Sequence, residues 1–246
     1  MHQDQIIAGR IVAGAIALAI NTCLSRPIDA EEIDALVEKY ILDNGGVPAL
    51  KNYKPPFTDM VWNHSLCLSL NKEVVHGVPA NKRIVPTDLI KVDLVVKVGE
   101  WHADAARTFS ANKRYKRIIA DSQEMLHIAA GTILPNAPIN RFGVALAQLA
   151  EHYNYHIPDL FCGHGIGKQI HEEPSIYNVP DFNYTECFIP KKTYAVEPVI
   201  MENECIISID RNGWTYMADT LSTHNENTYW VDNQQIRNIT DVESFL

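Results

Sequence analysis

Residues 90–109 constrain the fold of this chain most. Ile90, Val92, Leu94, Val95 and Val96 form one apolar, β-branched arm, Ala103, Ala105, Ala106 and Phe109 lie in another, and Gly99 supplies the turn between them. Such a tract forms a hairpin whose arms must be buried by further layers. Each arm nevertheless carries an aspartate. With Val98-Gly99 at the hairpin centre, Asp93 lies across from Asp104 on one face. Two ionised carboxylates so placed would repel and raise at least one pKa, and a divalent cation reverses that balance. Arg107 offers an alternative partner through an ion pair.

Three further residues extend the acidic set. His164 sits among glycines in Gly163-His164-Gly165-Ile166-Gly167, where the backbone can approach closely. Glu197 precedes Pro198, whose ring biases it toward extended backbone at a strand end. Glu226 lies in Thr223-His224-Asn225-Glu226-Asn227-Thr228, ahead of Tyr229-Trp230-Val231. Four carboxylates and one imidazole are too acidic for a lone structural zinc and suit two hydrolytic divalent ions. The leading reading is a dinuclear hydrolase, with His171 of His171-Glu172-Glu173-Pro174 as a substrate-facing hydrogen-bond group.

A length of 246 residues favours one α/β-type domain, and 46% apolar residues can bury a sizeable core. The net charge of −9 gives no general affinity for nucleic-acid phosphates. Cys23, Cys67, Cys162, Cys187 and Cys205 are odd in number and widely spaced, which suits a reducing cytosol, with most of them small core residues. The apolar run at 11–20 is too short to span a bilayer and reads as part of a packed helix over about 5–24. A second helix follows Arg26-Pro27, with Asp29 as its cap and Ile33, Leu36, Val37 and Tyr40 as its apolar stripe, ended by Asn44-Gly45-Gly46. Both helices would cover a sheet.

Residues 47–65, with Tyr53, Phe57 and Trp62 among three prolines, read as an irregular aromatic loop that caps the core or helps form a pocket. Residues 66–75 are strand-like. Helices are expected over 113–130 and 140–153, with His127, His152 and His156 at or near their surfaces.

In order, His76-Gly77-Val78-Pro79, Val92-Asp93-Leu94, the tract from Asp104 to Phe109, the glycine-flanked His164, His171-Glu172-Glu173-Pro174, Val196-Glu197-Pro198 and Glu226-Asn227-Thr228 resemble the type I methionine aminopeptidases. The resemblance runs from Ala8-Gly9-Arg10 nearly to Val231. It implies an α+β pita-bread fold, creatinase/aminopeptidase-like, with pseudo-twofold duplicated halves and a curved antiparallel sheet covered by helices. A single catalytic domain over 1–246 is expected. The implied reaction is release of N-terminal methionine, preferentially before a small second residue, by two divalent ions, Mn²⁺, Fe²⁺ or Co²⁺.

The family match assigns Asp93 to one metal, Asp104 and Glu226 to both, and His164 with Glu197 to the other side. It puts His76 beside the substrate amine or scissile amide, His171 near the carbonyl oxygen, and Glu197 also in the role of proton carrier. Trp214, Tyr53, Phe57, Cys67 and Ile170 would surround the methionine side chain. Nascent protein or peptide N-termini are the implied partners, with transient ribosome association, no specific nucleic-acid binding, no membrane insertion, a monomeric state and a cytoplasmic location. This chain departs from the family pattern at Asn227 in place of histidine, Ala103 in place of glycine, Ala80 in place of an acidic residue, and across 54–64. The alternatives are an Xaa-Pro aminopeptidase-like hydrolase and a catalytically weakened peptide-binding relative.

Overall fold

The computed structural model describes residues 1–55 and 59–246. The first half comprises α1 (Gln3–Ser25), β1 (Ile28–Asp29), α2 (Ala30–Asp43), β2 (Val47–Pro48), β3 (Cys67–Leu70), β4 (Arg83–Ile84), β5 (Ile90–Val98) and β6 (Trp101–Phe109). The second comprises α3 (Lys116–Ala130), α4 (Asn140–Tyr153), β7 (Cys162–Ile166), β8 (Glu172–Tyr177), β9 (Thr193–Val196), β10 (Val199–Met201), β11 (Ile207–Ile209), β12 (Tyr216–Ala218), β13 (Ser222–His224), β14 (Asn227–Val231) and β15 (Ile236–Asn238). Two larger antiparallel sheets result, each backed by a helix pair, with the two-stranded ribbons β1-β4, β10-β13 and β11-β12 beside them. In the first, β5 lies between β6 and the β2 and β3 strands; the second runs β15-β14-β9-β7-β8.

α1 is alanine-rich, which favours helix, and is buried on nearly every side. It is long and apolar enough to cross a membrane by length and composition, yet 67% of that apolar stretch is buried within the fold. Gly14 admits the Tyr40 hydroxyl of α2, and a Cβ there would meet that oxygen. Ile11, Val12, Ile16 and Ile20 pack with Ile33, Val37 and Ile41 of α2 onto Val92, Leu94 and Val96 of β5 and Ala103 and Ala105 of β6. Each fully buried branched side chain contributes roughly 1.5–3 kcal/mol. The core takes alternate residues, so Asp93, Asp104 and Ala106 are left on the opposite face. Phe142 and Leu146 of α4 and Met125 and Leu126 of α3 similarly cover Ile176, Tyr194, Val196, Tyr229 and Val231.

The hairpin turns one residue later than its expected centre. Val98 faces Trp101 across Gly99-Glu100, with Gly99 at φ +57°. Asp93 therefore faces Ala106, and Asp104 faces Val95. The two aspartates are diagonal neighbours rather than direct partners. A two-residue displacement preserves the period-two alternation, so they still share one face. Two smaller expectations also change. Asp29 occupies the cap position of α2 without a side-chain cap bond, because its carboxylate pairs with Arg83 at 2.8 Å. The strand expected over 66–75 ends at Leu70, where the chain turns through Asn71 at φ +54°.

The halves join along a seam between β6 and residues 224–228. At its middle, Ala106 and Glu226 pair backbone to backbone. On one side the Thr228 hydroxyl accepts from Asp104 N at 2.9 Å and donates to Asp104 O at 2.8 Å. On the other, the Thr108 hydroxyl accepts from His224 N at 2.8 Å and donates to His224 O at 2.8 Å. The seam thus has a local twofold relation about the Ala106–Glu226 pair. Both threonines are at most 1% exposed, so these hydroxyls replace backbone bonds that water could not supply.

Candidate metal centre

The residues predicted as ligands come together where the halves meet. Asp93 is on β5, Asp104 on β6, His164 on β7, Glu197 just after β9 and Glu226 just before β14. Ligand atoms of Asp104, His164 and Glu226 lie within 4.8 Å of one another. Glu197 Oε1 is 3.4 Å from His164 Nε2, and Asp93 lies across β3–β5 from Cys67. Glycines on β7 allow this convergence: a Cβ at Gly163 would stand 2.3 Å from Ala195 O.

The donor set fits a cation. His164 Nδ1 donates to Gly165 O at 2.9 Å, which leaves Nε2 facing Glu197 and, in the neutral ring, offers its lone pair to a cation. In that neutral form the two acceptors repel at this separation unless a positive charge lies between them. Asp104 Oδ1 and Glu226 Oε1 are buried and have no hydrogen-bond partner among the described residues. Burial, then the neighbouring charges of Asp93 and Glu197, raises the Asp104 carboxyl well above its ordinary range. Burial raises Glu226 in the same way, with Asp104, Glu197 and Asp93 adding to it, and pushes Asp93 up to about 6. Glu197 goes the other way: burial raises it, but hydrogen bonding from His224, with the neighbouring charge of His164 adding to it, holds it below the usual value. Anions this crowded and desolvated need cations to ionise together.

Arg107 does not supply that charge. Its side chain turns to the opposite face, pairing with Glu243 at 2.9 and 3.0 Å and donating to Ala106 O, Glu226 O and Asn227 Oδ1. Asn227 belongs to this network, donating also to the Tyr229 hydroxyl at 3.3 Å. The substitution therefore bears on the backing of Glu226, away from the converging carboxylates.

His76 and His171 are exposed, each within electrostatic reach of Glu197. His76 has φ +55°, and Gly77 behind it packs on Leu68 O, so the loop is pinned by backbone. Desolvation lowers both imidazoles well below their usual value, and for His171 the neighbouring His164 adds to this. Both are neutral at pH 7. The His171 ring lies 4.4 Å from that of His164, and its Nδ1 is 2.9 Å from the Tyr53 hydroxyl. Tyr53 thus touches a histidine rather than serving only as pocket wall. Trp214, half-buried near the tip of the β11–β12 hairpin, meets Trp62 edge to face at 5.2 Å. Cys67 and Ile170 are each 7% exposed, and Phe57 lies outside the described residues.

The five cysteines are free; Cys23 and Cys67 are buried, while Cys162, Cys187 and Cys205 are only partly so. Sequence reasoning overlooked His224, Thr108, Thr228 and the Trp62–Trp214 contact. His224 was within reach, since it lies two residues before Glu226 and so on the same strand face.

Residues 6–233 match the metallopeptidase family M24. The chain is 25% identical to a methionine aminopeptidase of Mycoplasma capricolum over 98% of both chains. It superposes on the crystal structure of a methionine aminopeptidase from Rickettsia prowazekii with a TM-score of 0.88 at 24% identity, covering 96% of this chain and 95% of that one. A prolidase from Pyrococcus furiosus gives a TM-score of 0.72 at 20% identity, with 97% of this chain spanning 63% of the prolidase. These neighbours share the pita-bread architecture, with its two sheet-and-helix halves. The chain belongs to metallopeptidase family M24.

Proposed function

We propose that this chain is a methionine aminopeptidase, hydrolysing the first peptide bond of protein and peptide N-termini that begin with methionine. One observation carries the chemistry: the Nε2 of His164 facing a carboxylate oxygen at 3.4 Å, beside two buried carboxylate oxygens without a hydrogen-bond partner among the described residues. Near-complete coverage of methionine aminopeptidases, against 63% of a prolidase, favours the substrate class.

Asp93, Asp104, His164, Glu197 and Glu226 would hold two divalent cations, Mn²⁺, Fe²⁺ or Co²⁺. Bound there, these supply a water of lowered pKa and polarise the scissile carbonyl. The protein's own groups do the rest. His171, neutral and oriented by the Tyr53 hydroxyl, donates from Nε2 to the carbonyl oxygen as it gains charge. His76 sits beside the substrate amine or scissile amide. Glu197, whose carboxyl is held below the usual value and so stands ionised, takes the proton of the attacking water and passes it to the departing nitrogen. Trp214, backed by Trp62, with Tyr53, Cys67 and Ile170, forms an apolar slot in which a thioether packs against aromatic edges. A narrow adjoining space would favour small second residues. The reading includes one catalytic domain over 1–246, a monomer, a cytoplasmic location and access to nascent chains at the ribosome.

The test is a peptide panel with metal titration. Met-Ala-Ser should release methionine with added Mn²⁺, Co²⁺ or Fe²⁺, and peptides with a bulky second residue should react poorly. Asp104→Asn should lower both metal occupancy and turnover. Inactivity of folded, metal-loaded protein would overturn the reading, as would preference for Xaa-Pro peptides.

A further inference from the structure

The seam's twofold relation makes a residue-by-residue prediction. Turning about the Ala106–Glu226 pair exchanges Thr108 with Thr228, whose hydroxyls make the same two backbone bonds on opposite strands. The same turn exchanges β5 with β9. Asp93 faces Ala106 on β6, and the β9–β14 register, carried one step beyond Asn227 and Val196, brings Glu197 opposite Glu226. Asp93 therefore corresponds to Glu197. By the same operation Asp104 corresponds to His224, because each is the residue whose backbone the opposite threonine clamps.

His224 is thus the second half's counterpart of a residue already placed at the heart of the cluster. Its side chain behaves accordingly: it is 3% exposed, and Nε2 is buried, has no partner in hydrogen-bonding geometry among the described residues and stands 3.5 Å from Glu197 Oε2. The other oxygen of that carboxylate, Oε1, faces His164. The two imidazoles bracket Glu197, one oxygen each.

We propose that His224 is a positioning residue for Glu197, donating its Nε2–H to Oε2 and thereby turning Oε1 toward His164 and the metal-binding cluster. Resting on the aminopeptidase reading for its kinetic arm alone, the assignment explains why an imidazole is enclosed among carboxylates with its one inward nitrogen unpartnered. It also gives Glu197 a fixed orientation from which a proton can be accepted, where a carboxylate free to rotate would have none.

The experiment compares His224→Ala and His224→Gln with the parent, each checked for folding by circular dichroism. Co²⁺ is titrated into metal-free protein and followed by calorimetry and by the visible absorption of the bound ion, and kcat and KM are measured on Met-Ala-Ser. In His224→Ala, kcat should fall about 10–100-fold with KM changed less than about threefold, and the Co²⁺ band should shift while two ions still bind. In His224→Gln, whose amide N–H also donates, the band should return and kcat should recover to within about fivefold. Parent-like kcat and spectrum in His224→Ala would overturn the proposal. So would loss of one bound ion in both variants, which would make His224 a ligand. An inactive parent would refute the aminopeptidase reading, while the Co²⁺ spectra would still decide the role of His224.

Discussion

Replacing Thr228 by valine tests whether the two halves are held by side-chain hydroxyls rather than by continuous strand pairing. Valine keeps the branched shape and removes one oxygen. That oxygen accepts from Asp104 N and donates to Asp104 O, and Thr228 is fully buried. Two hydrogen bonds at about 1 kcal/mol each are lost, and an amide left without a partner in the interior costs about 1–3 kcal/mol. Relief from burying a hydroxyl offsets part of this, so Thr228→Val should destabilise by about 2–4 kcal/mol. At roughly 2–4 °C per kcal/mol for a chain of this size, the melting temperature should drop about 5–15 °C. The measurement belongs on chelated protein, because metal bound to both halves would mask the loss. Thr228→Ser keeps the hydroxyl and should retain most of the stability. A Thr228→Val melting within about 1 °C of the parent, or a serine variant that falls as far as the valine one, would refute the clamp.

Three further outcomes follow from the same geometry. Chelated protein should melt higher at pH 5 than at pH 7.5. Asp93, Asp104 and Glu226 have native pKa values above their unfolded ones, so the native state holds more protons in this window and loses stability as pH rises through those values. Glu197 opposes this, and so do His76 and His171, whose lowered imidazoles stay neutral in the native state where the unfolded chain protonates them; the three raised carboxylates outweigh these groups, and Mn²⁺ or Co²⁺ should reverse the trend, as a pH series of thermal melts with and without metal would reveal. Tyr53→Phe should lower kcat about fivefold, the worth of about 1 kcal/mol, with an unchanged melting temperature; a parent-like kcat would show that the 2.9 Å contact with His171 does not orient the ring. Gly77→Ala places a Cβ 2.2 Å from Leu68 O and should cost about 1–3 kcal/mol together with most of the activity, since His76 is the adjacent residue; calorimetry and steady-state assay on one preparation would expose any separation of the two effects.

The sequence was most informative where local periodicity decides the outcome. α1, α2, α3 and α4 lie close to their expected spans because alanine content, apolar stripes and glycine breakers act within a few residues. The 90–109 hairpin was legible as a hairpin, but its register was not: two-residue turns at 98–99 and 99–100 both satisfy Gly99. The mistaken register still put Asp93 and Asp104 on the right face, because the error was an even number of residues. Long-range bonding was the hidden part. Nothing local in Thr108 or Thr228 says that each hydroxyl will clamp a backbone more than 100 positions away. Arg107 competes with the metal in the sequence because it neighbours Asp104; its odd offset already sends it to the other strand face, and the fold adds the partners that it meets there, Glu243 and Asn227.

The seam explains how one fold can assemble so many acidic groups. Where Ala106 meets Glu226 the strands pair directly, and on either side a threonine oxygen is interposed between the backbones. The strands therefore diverge from a single closest point, and side chains projecting from the sheet around that point converge. Asp104, Glu226 and His224 lie on this line, while Asp93 and Glu197 flank it from the next strands outward. Neither half holds the whole set, so the cluster forms only when the two sheets dock. Their carboxylates oppose that docking by repulsion until cations arrive. The buried hydroxyl clamps and the Arg107 network act without metal and hold the seam against that repulsion. Weakening either should thus make folding depend more steeply on metal, an effect that charge-neutral surface substitutions elsewhere in the sheet would not produce.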